Sequence, residues 1–173
     1  MGTWRLRHEN AVEETVAFVV SDWESPTKDA VRALKFNREG WRGAPLGDEL
    51  ARHAAHRLGE LRGILPVPVH RVRLRERGFN QCDRLARGVS RRLKVPIFNV
   101  LHRCDQQRQS ELTSEARAEV QFRCDPIPPG RYVIVDDLIT TGHTLRACAH
   151  AAEDSGATEV IGLALCRAAR RSD

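Results

Sequence analysis

The chain has 173 residues, 41% of them hydrophobic, which supplies one sizeable core and argues against a second independent one. Its formal net charge of +5 comes almost entirely from arginine, a balance that suits phosphorylated ligands or nucleic acid and not cationic partners. No apolar run approaches the ~18 residues of a membrane span, the start Met1-Gly2-Thr3-Trp4-Arg5 lacks a secretory pattern, and five well-separated cysteines include no Cys-x-x-Cys pair. These features predict a cytoplasmic protein with reduced thiols, no zinc and no membrane insertion.

Residues 16–20 form an apolar run between Glu13-Glu14 and Ser21-Asp22, compatible with a strand or a helix end. Ser25-Pro26 reads as N-cap and first helical position, and Ala30, Val31, Leu34 and Lys35 keep helical spacing up to Phe36, with Asn37 and Gly40 as the stop. Across residues 46–61, Leu50, Ala54, Leu58 and Leu61 recur at intervals of three and four, the pattern of an amphipathic helix. His53 and His56 sit on it without an evident carboxylate partner and read as surface residues.

Residues 64–69 are apolar but too short and proline-rich for a helix, so they read as a buried strand entering a loop. Arg71, Arg73, Arg75 and Arg77 then alternate along the chain and would share one face if that segment were extended. Helical periodicity resumes over 80–93 through Leu85, Ala86, Val89 and Leu93, and 95–100 reads as a short strand. Residues 102–118 are a long polar connection, and 126–130 form a proline-rich turn.

The last third is a strand over 132–135, a small-residue helix over 144–155 stopped by Gly156, and a strand over 160–166. Strand, helix and strand at this length require parallel pairing and a right-handed crossover. The fold class is therefore α/β, an open parallel sheet with helices on both faces, whose ligands bind beyond the carboxyl ends of the strands.

One loop carries the chemistry. Asp136 and Asp137 end the apolar strand, and Thr140, Thr141, Gly142, His143 and Thr144 open the next helix. Unpaired N–H groups at a helix start attract an anion, the threonine hydroxyls add donors, and Gly142 lets the backbone come close. The two carboxylates can accept from ribose hydroxyls and help hold a hydrated Mg²⁺, so the loop would grip both ends of a ribose 5-phosphate. An ordinary turn with capping acids is the plainer alternative. P-loop and dinucleotide-binding patterns are absent from the sequence.

The string Val133-Ile134-Val135-Asp136-Asp137-Leu138-Ile139-Thr140-Thr141-Gly142-His143-Thr144 resembles the 5-phosphoribosyl 1-pyrophosphate (PRPP) motif of the type I phosphoribosyltransferases. Val67-Pro68-Val69-His70 followed by Arg75-Glu76-Arg77-Gly78-Phe79-Asn80-Gln81 resembles a second signature, that of the ComF-type branch linked to natural competence. Leu34-Lys35-Phe36, and Arg103 with Gln109, Leu112 and Arg117, add weaker matches in the same order.

The resemblance implies a hood-like region over 1–60 and a PRPP-binding α/β core over 61–173, together one domain. It assigns Val69, His70, Arg75 and Arg77 to the pyrophosphate loop and Arg103 and Gln109 to a flexible loop. Longer members begin with a cysteine-rich zinc segment that this chain does not show. Thr140 stands where some purine-salvage relatives carry an aspartate, so no catalytic residue is assigned.

The expected function is Mg²⁺-dependent PRPP binding, as a transferase or a PRPP-responsive factor in competence, with competence-machinery proteins as partners and an oligomer allowed. The alternative is a non-catalytic adaptor that binds single-stranded DNA. The arginine run could serve pyrophosphate, DNA or only solvent; pyrophosphate ranks first because stacking aromatics are scarce around it.

Overall fold

A computed structural model describes residues 2–7, 14–22, 27–36, 42–104 and 121–168. In chain order it contains β1 (Gly2–Arg7), β2 (Glu14–Asp22), α1 (Thr27–Phe36), α2 (Gly43–Leu58), β3 (Gly63–Pro66), α3 (Arg71–Arg77), α4 (Gln81–Leu93), β4 (Leu101–Cys104), β5 (Gln121–Cys124), β6 (Gly130–Ile139), α5 (His143–Glu153) and β7 (Ala157–Arg167). Five strands form one sheet in the order β1-β2-β7-β6-β3, and β4 and β5 form a separate antiparallel pair. Strands β2, β7, β6 and β3 run parallel, while β1 closes the β2 edge antiparallel.

Alternation along the strands sorts the core into two layers, because successive side chains point to opposite faces. Tyr132 and Ile134 face one side with Leu65, where Leu145, Cys148, Ala149 and Ala152 of α5 cover them. Val133 and Val135 face the other with Ile64, Ile161 and Leu163, under α1, α2 and α4. Helices thus lie on both faces of a largely parallel sheet, as the sequence predicts.

Residues before 61 contribute β1 and β2 to the sheet and α1 and α2 to one of its faces. The open assignment at 16–20 resolves as the strand β2, since Val16 to Val19 pair with Ile161 to Ala164. Helices α2 and α4 pack with backbones nearly touching. A methyl group at Gly47 would overlap the Leu85 carbonyl, and one at Gly88 the Ala44 carbonyl. Across the same contact Arg92 donates to Asp48 at 2.6 Å.

Four expectations are corrected. The arginine run is the helix α3, not an extended segment. Residues 95–100 do not form a strand: Ile97 makes one isolated bridge to Ile64, through Ile64 N–H to Pro96 O (2.9 Å) and Phe98 N–H to Ile64 O (2.8 Å). Prolines have no N–H to extend a ladder, and Pro96 sits in the middle of this segment.

The polar connection over 102–118 begins as β4, which pairs with β5; residues 105–120 lie outside the described residues. His53 does have a carboxylate partner, Glu49 Oε1 at 3.0 Å, one helical turn away.

Candidate functional site

Strand β6 is longer than its apolar core suggests. Leu138 still pairs with Cys166 and Ile139 with Arg167, so both acids lie inside the sheet and not beyond it. Asp136 is 8% exposed and Asp137 3%. A buried carboxylate is costly unless hydrogen bonds hold it. Asp136 Oδ1 accepts from the Asp137 N–H at 2.8 Å and from the Cys82 thiol at 3.5 Å.

Beyond Ile139 the chain surfaces: Thr140, Thr141 and His143 are exposed, Thr144 is half-buried, and Gly142 is buried. Gly142 has φ 82°, in the left-handed region that a side chain disfavours, and it stands as the N-cap of α5 with no side-chain cap bond. The first bond of the helix is Arg146 N–H to Gly142 O at 3.0 Å. The N–H groups of His143, Thr144 and Leu145 therefore precede the helical ladder, the arrangement that receives an anion. Arg146 also donates to Thr141 O at 3.3 Å, pinning the loop to its helix.

The second carboxyl-end loop follows β3. Val67 N–H bonds Val135 O at 3.0 Å, and Val69 and His70 are half-buried. His70 Nδ1 accepts from Val72 N–H at 3.2 Å and so caps α3. Gly78, at φ 79°, closes that helix by donating to Leu74 O at 2.8 Å.

At helical spacing Arg71 and Arg75 share one face and Arg73 and Arg77 another, so the four do not form a single row. Arg75 is exposed, whereas Arg77 is half-buried and donates to Gln81 Oε1 at 3.1 Å. Beside this loop lies a cavity of about 200 Å³ bounded by Pro66, Val69, Leu74, Asn80 and Asp83. Burial pushes the Asp83 carboxyl above its ordinary range, against the opposing pull of Arg87, Arg84 and the Asn80 hydrogen bond.

Arg103 lies on β4, whose hairpin packs against α5. The buried Cys148 thiol of α5 is raised well above its ordinary value, first by burial and then by the Asp136 charge, while Arg103 opposes the shift. Gln109 lies outside the described residues.

Two residues that the sequence reading did not single out join these parts. Asn80 appeared as a helix start and within the second signature, with no role of its own, and Cys82 only as a reduced thiol. In the structure Asn80 Nδ2 donates to Val67 O at 2.9 Å, and Cys82 reaches Asp136. The available signal was Asn80 three residues before Asp83, a polar pair at capping spacing.

Among the described residues, Cys82, Asp136 and Asp137 place one metal-competent atom each within 4.8 Å of one another. A hard cation such as Mg²⁺ takes oxygen ligands and keeps several waters, so the two carboxylates fit it and the thiol does not. No helix of the described residues is long and apolar enough to cross a membrane.

Comparison with known proteins bears on the whole arrangement. Competence protein F of Haemophilus influenzae is 29% identical over 94% of this chain and 76% of its own length. DNA utilization protein YhgH of Escherichia coli K12 is 30% identical over 86% of this chain and 70% of its own.

Among solved structures, glutamine PRPP amidotransferase from B. subtilis superposes with a TM-score of 0.55 at 20% identity. The match covers 77% of this chain and spans only 30% of that structure, a likeness of fold. Residues 80–173, which hold α4, the acids and the Gly142 turn, match the phosphoribosyl transferase domain. The chain therefore belongs to the phosphoribosyl transferase domain family and is a distant relative of the competence protein F and YhgH proteins.

Proposed function

We propose that this chain binds PRPP with Mg²⁺ and acts as a phosphoribosyltransferase-type protein in the cytoplasm, in competence or DNA handling. The observation that carries the reading is the end of β6, where two buried carboxylates and the uncapped start of α5 are separated by one short loop. Such a loop matches a ribose 5-phosphate in chemistry: acceptors for a diol at one end and N–H donors for a phosphate at the other.

In this reading the backbone N–H groups of His143 to Leu145 and the hydroxyls of Thr140, Thr141 and Thr144 hold the 5′-phosphate. Asp136 and Asp137 accept from the ribose hydroxyls and, through water, hold Mg²⁺. When bound, the cation supplies charge neutralisation for the departing pyrophosphate. Val69, His70, Arg75 and Arg77 belong to the loop and helix assigned to that group, Arg75 and Arg77 on different faces of α3, and Arg103 approaches from the β4–β5 pair with Gln109 further along the same connection.

Transfer would form a bond from the acceptor nucleophile to ribose C1 while the C1–O bond to pyrophosphate breaks, the electron pair leaving with pyrophosphate. Such a displacement needs positioning and charge stabilisation more than an acid–base residue.

The test is calorimetry with PRPP and Mg²⁺ on the natural chain and on Asp136→Asn with Asp137→Asn. Asparagine keeps an acceptor oxygen for the Asp137 N–H and the Cys82 thiol, so the fold, read by near-UV circular dichroism, should persist while PRPP binding is lost. Unchanged PRPP affinity in the double variant would refute the ribose assignment.

A second reading is favoured by α3, whose four arginines surround a helix that buries no side chain. Such a surface also suits a nucleic-acid backbone, and relatives of this chain bear names that refer to DNA. In that case the protein is an adaptor that binds single-stranded DNA with a steep salt dependence and shows no transferase activity.

A further inference from the structure

We infer that the first turn of α4 is a strut that sets the spacing between the two halves of the proposed site. Asn80 is the positioning residue for the loop after β3, and Cys82 is the positioning residue for Asp136. The inference rests on the PRPP reading above and adds to it two residues that hold the site without contacting the ligand.

Asn80 is buried and makes three bonds. Its Oδ1 accepts from Cys82 N–H at 3.0 Å, and its Nδ2 donates to Val67 O at 2.9 Å and to Asp83 Oδ1 at 3.1 Å. The first bond is the ordinary duty of a helix cap. The second is not. Val67 is where the chain leaves the sheet: its N–H still bonds Val135, and the next residue, Pro68, has no N–H to offer. Asn80 thus holds the carbonyl from which the loop to His70 departs.

Two residues later the same helical turn holds the other half. Cys82 is 1% exposed, and its Sγ lies 3.5 Å from Asp136 Oδ1, the oxygen that also takes the Asp137 N–H. Two donors on one oxygen fix the plane of that carboxylate.

The strut itself cannot slide, because Leu85 and Val89 are fully buried and the Gly88 backbone lies against α2. A ligand gripped at both ends feels the spacing that the strut sets, whereas a ligand gripped at one end feels only its own half. Preorganisation of this kind lowers the ordering cost of binding.

The test titrates three ligands, each with Mg²⁺: PRPP, ribose 5-phosphate and pyrophosphate. Asn80→Ser retains a helix cap but is too short to reach Val67 O. It should weaken PRPP and pyrophosphate by about tenfold, the scale of a hydrogen bond that orients a charge-binding loop, and leave ribose 5-phosphate unchanged. Cys82→Ala should do the reverse, weakening PRPP and ribose 5-phosphate and sparing pyrophosphate. Cys82→Ser, which keeps a donor, should recover part of the loss.

Loss of all three ligands alike, or of none, would overturn the strut, since a merely structural role cannot sort ligands by the half they touch. If Asn80→Ser does not fold, Asn80→Asp keeps the cap, lacks the donor to Val67 and is read by the same criterion. A natural chain that binds none of the three overturns the PRPP reading and the strut together; one that binds them while the variants fail to sort them overturns the strut alone.

Discussion

Helices α3 and α4 follow one another and are both rich in arginine, yet they are held in opposite ways. In α4 the apolar residues Leu85, Ala86 and Val89 recur at helical spacing and are fully buried, which leaves Arg87, Arg91 and Arg92 on the exposed side. In α3 the apolar residues Val72 and Leu74 are two apart, about 200° around a helix, so they cannot share a face. They remain 49% and 43% exposed.

The sheet and α2 thus hold α4, while its two caps, His70 and Gly78, hold α3. Charge on α4 is a by-product of a packed helix. Charge on α3 is most of what that helix presents, and changing it should cost the fold little.

The largest expected effect comes from making the same substitution in both helices. Leu85→Ala removes a fully buried side chain and should cost about 2 to 5 kcal/mol in a urea titration. Leu74→Ala should stay within about 0.5 kcal/mol of the natural chain. Equal losses at the two positions would mean that α3 is packed in solution and that the contrast is false.

An intermediate effect is expected on binding and not on stability. Arg75→Ala with Arg77→Ala should leave the urea midpoint nearly unchanged while weakening PRPP about tenfold or more, and ribose 5-phosphate much less. If the pair serves DNA instead, PRPP affinity holds, DNA affinity falls and its salt dependence becomes shallower. Arg77 also bonds Gln81 at the start of α4, so any small stability loss should be traced to it by the two single variants.

The smallest effect is a change of slope at the junction of the two helices. Asp83 has its carboxyl raised by burial, so the folded state holds a proton at pH values where the unfolded chain has released it. Stability therefore falls as pH rises from the ordinary carboxylate range through the raised value, and it stays lower above that window. Asp83→Asn should flatten this part of the profile, seen as melting temperatures that change less from the ordinary carboxylate range upward than those of the natural chain. Parallel profiles would show that Asp83 is solvated like the arginines of α3.

The acid-to-glycine loop was readable because its signals are contiguous. A run of apolar residues ends in Asp136-Asp137, and a glycine precedes a helix of small residues; no distant partner is needed to recognise either. Even there the reading stopped the strand at Val135, because charge marks the end of an apolar pattern. The sheet continues through Ile139, since β7 supplies backbone partners whatever the side chains are.

Alternating arginines have the period of a strand, and nothing in that period reveals the caps that wind residues 71–77 into a helix. Likewise Asn80 could be recognised as a cap from its neighbours, but not as a tether, because Val67 lies thirteen residues away.

By itself the sequence determined the α/β class, the helices α2 and α4, the β6-α5-β7 unit and the acid-to-glycine loop within it. Each depends on hydrophobic period, caps and turn residues that act within a few positions along the chain. The tertiary structure alone decided that β2 lies between β1 and β7, that Gly47 and Gly88 let α2 and α4 touch, and that Cys82 reaches Asp136. Those outcomes are set by partners distant in sequence, whose distances and hydrogen bonds exist only once the sheet has brought them together.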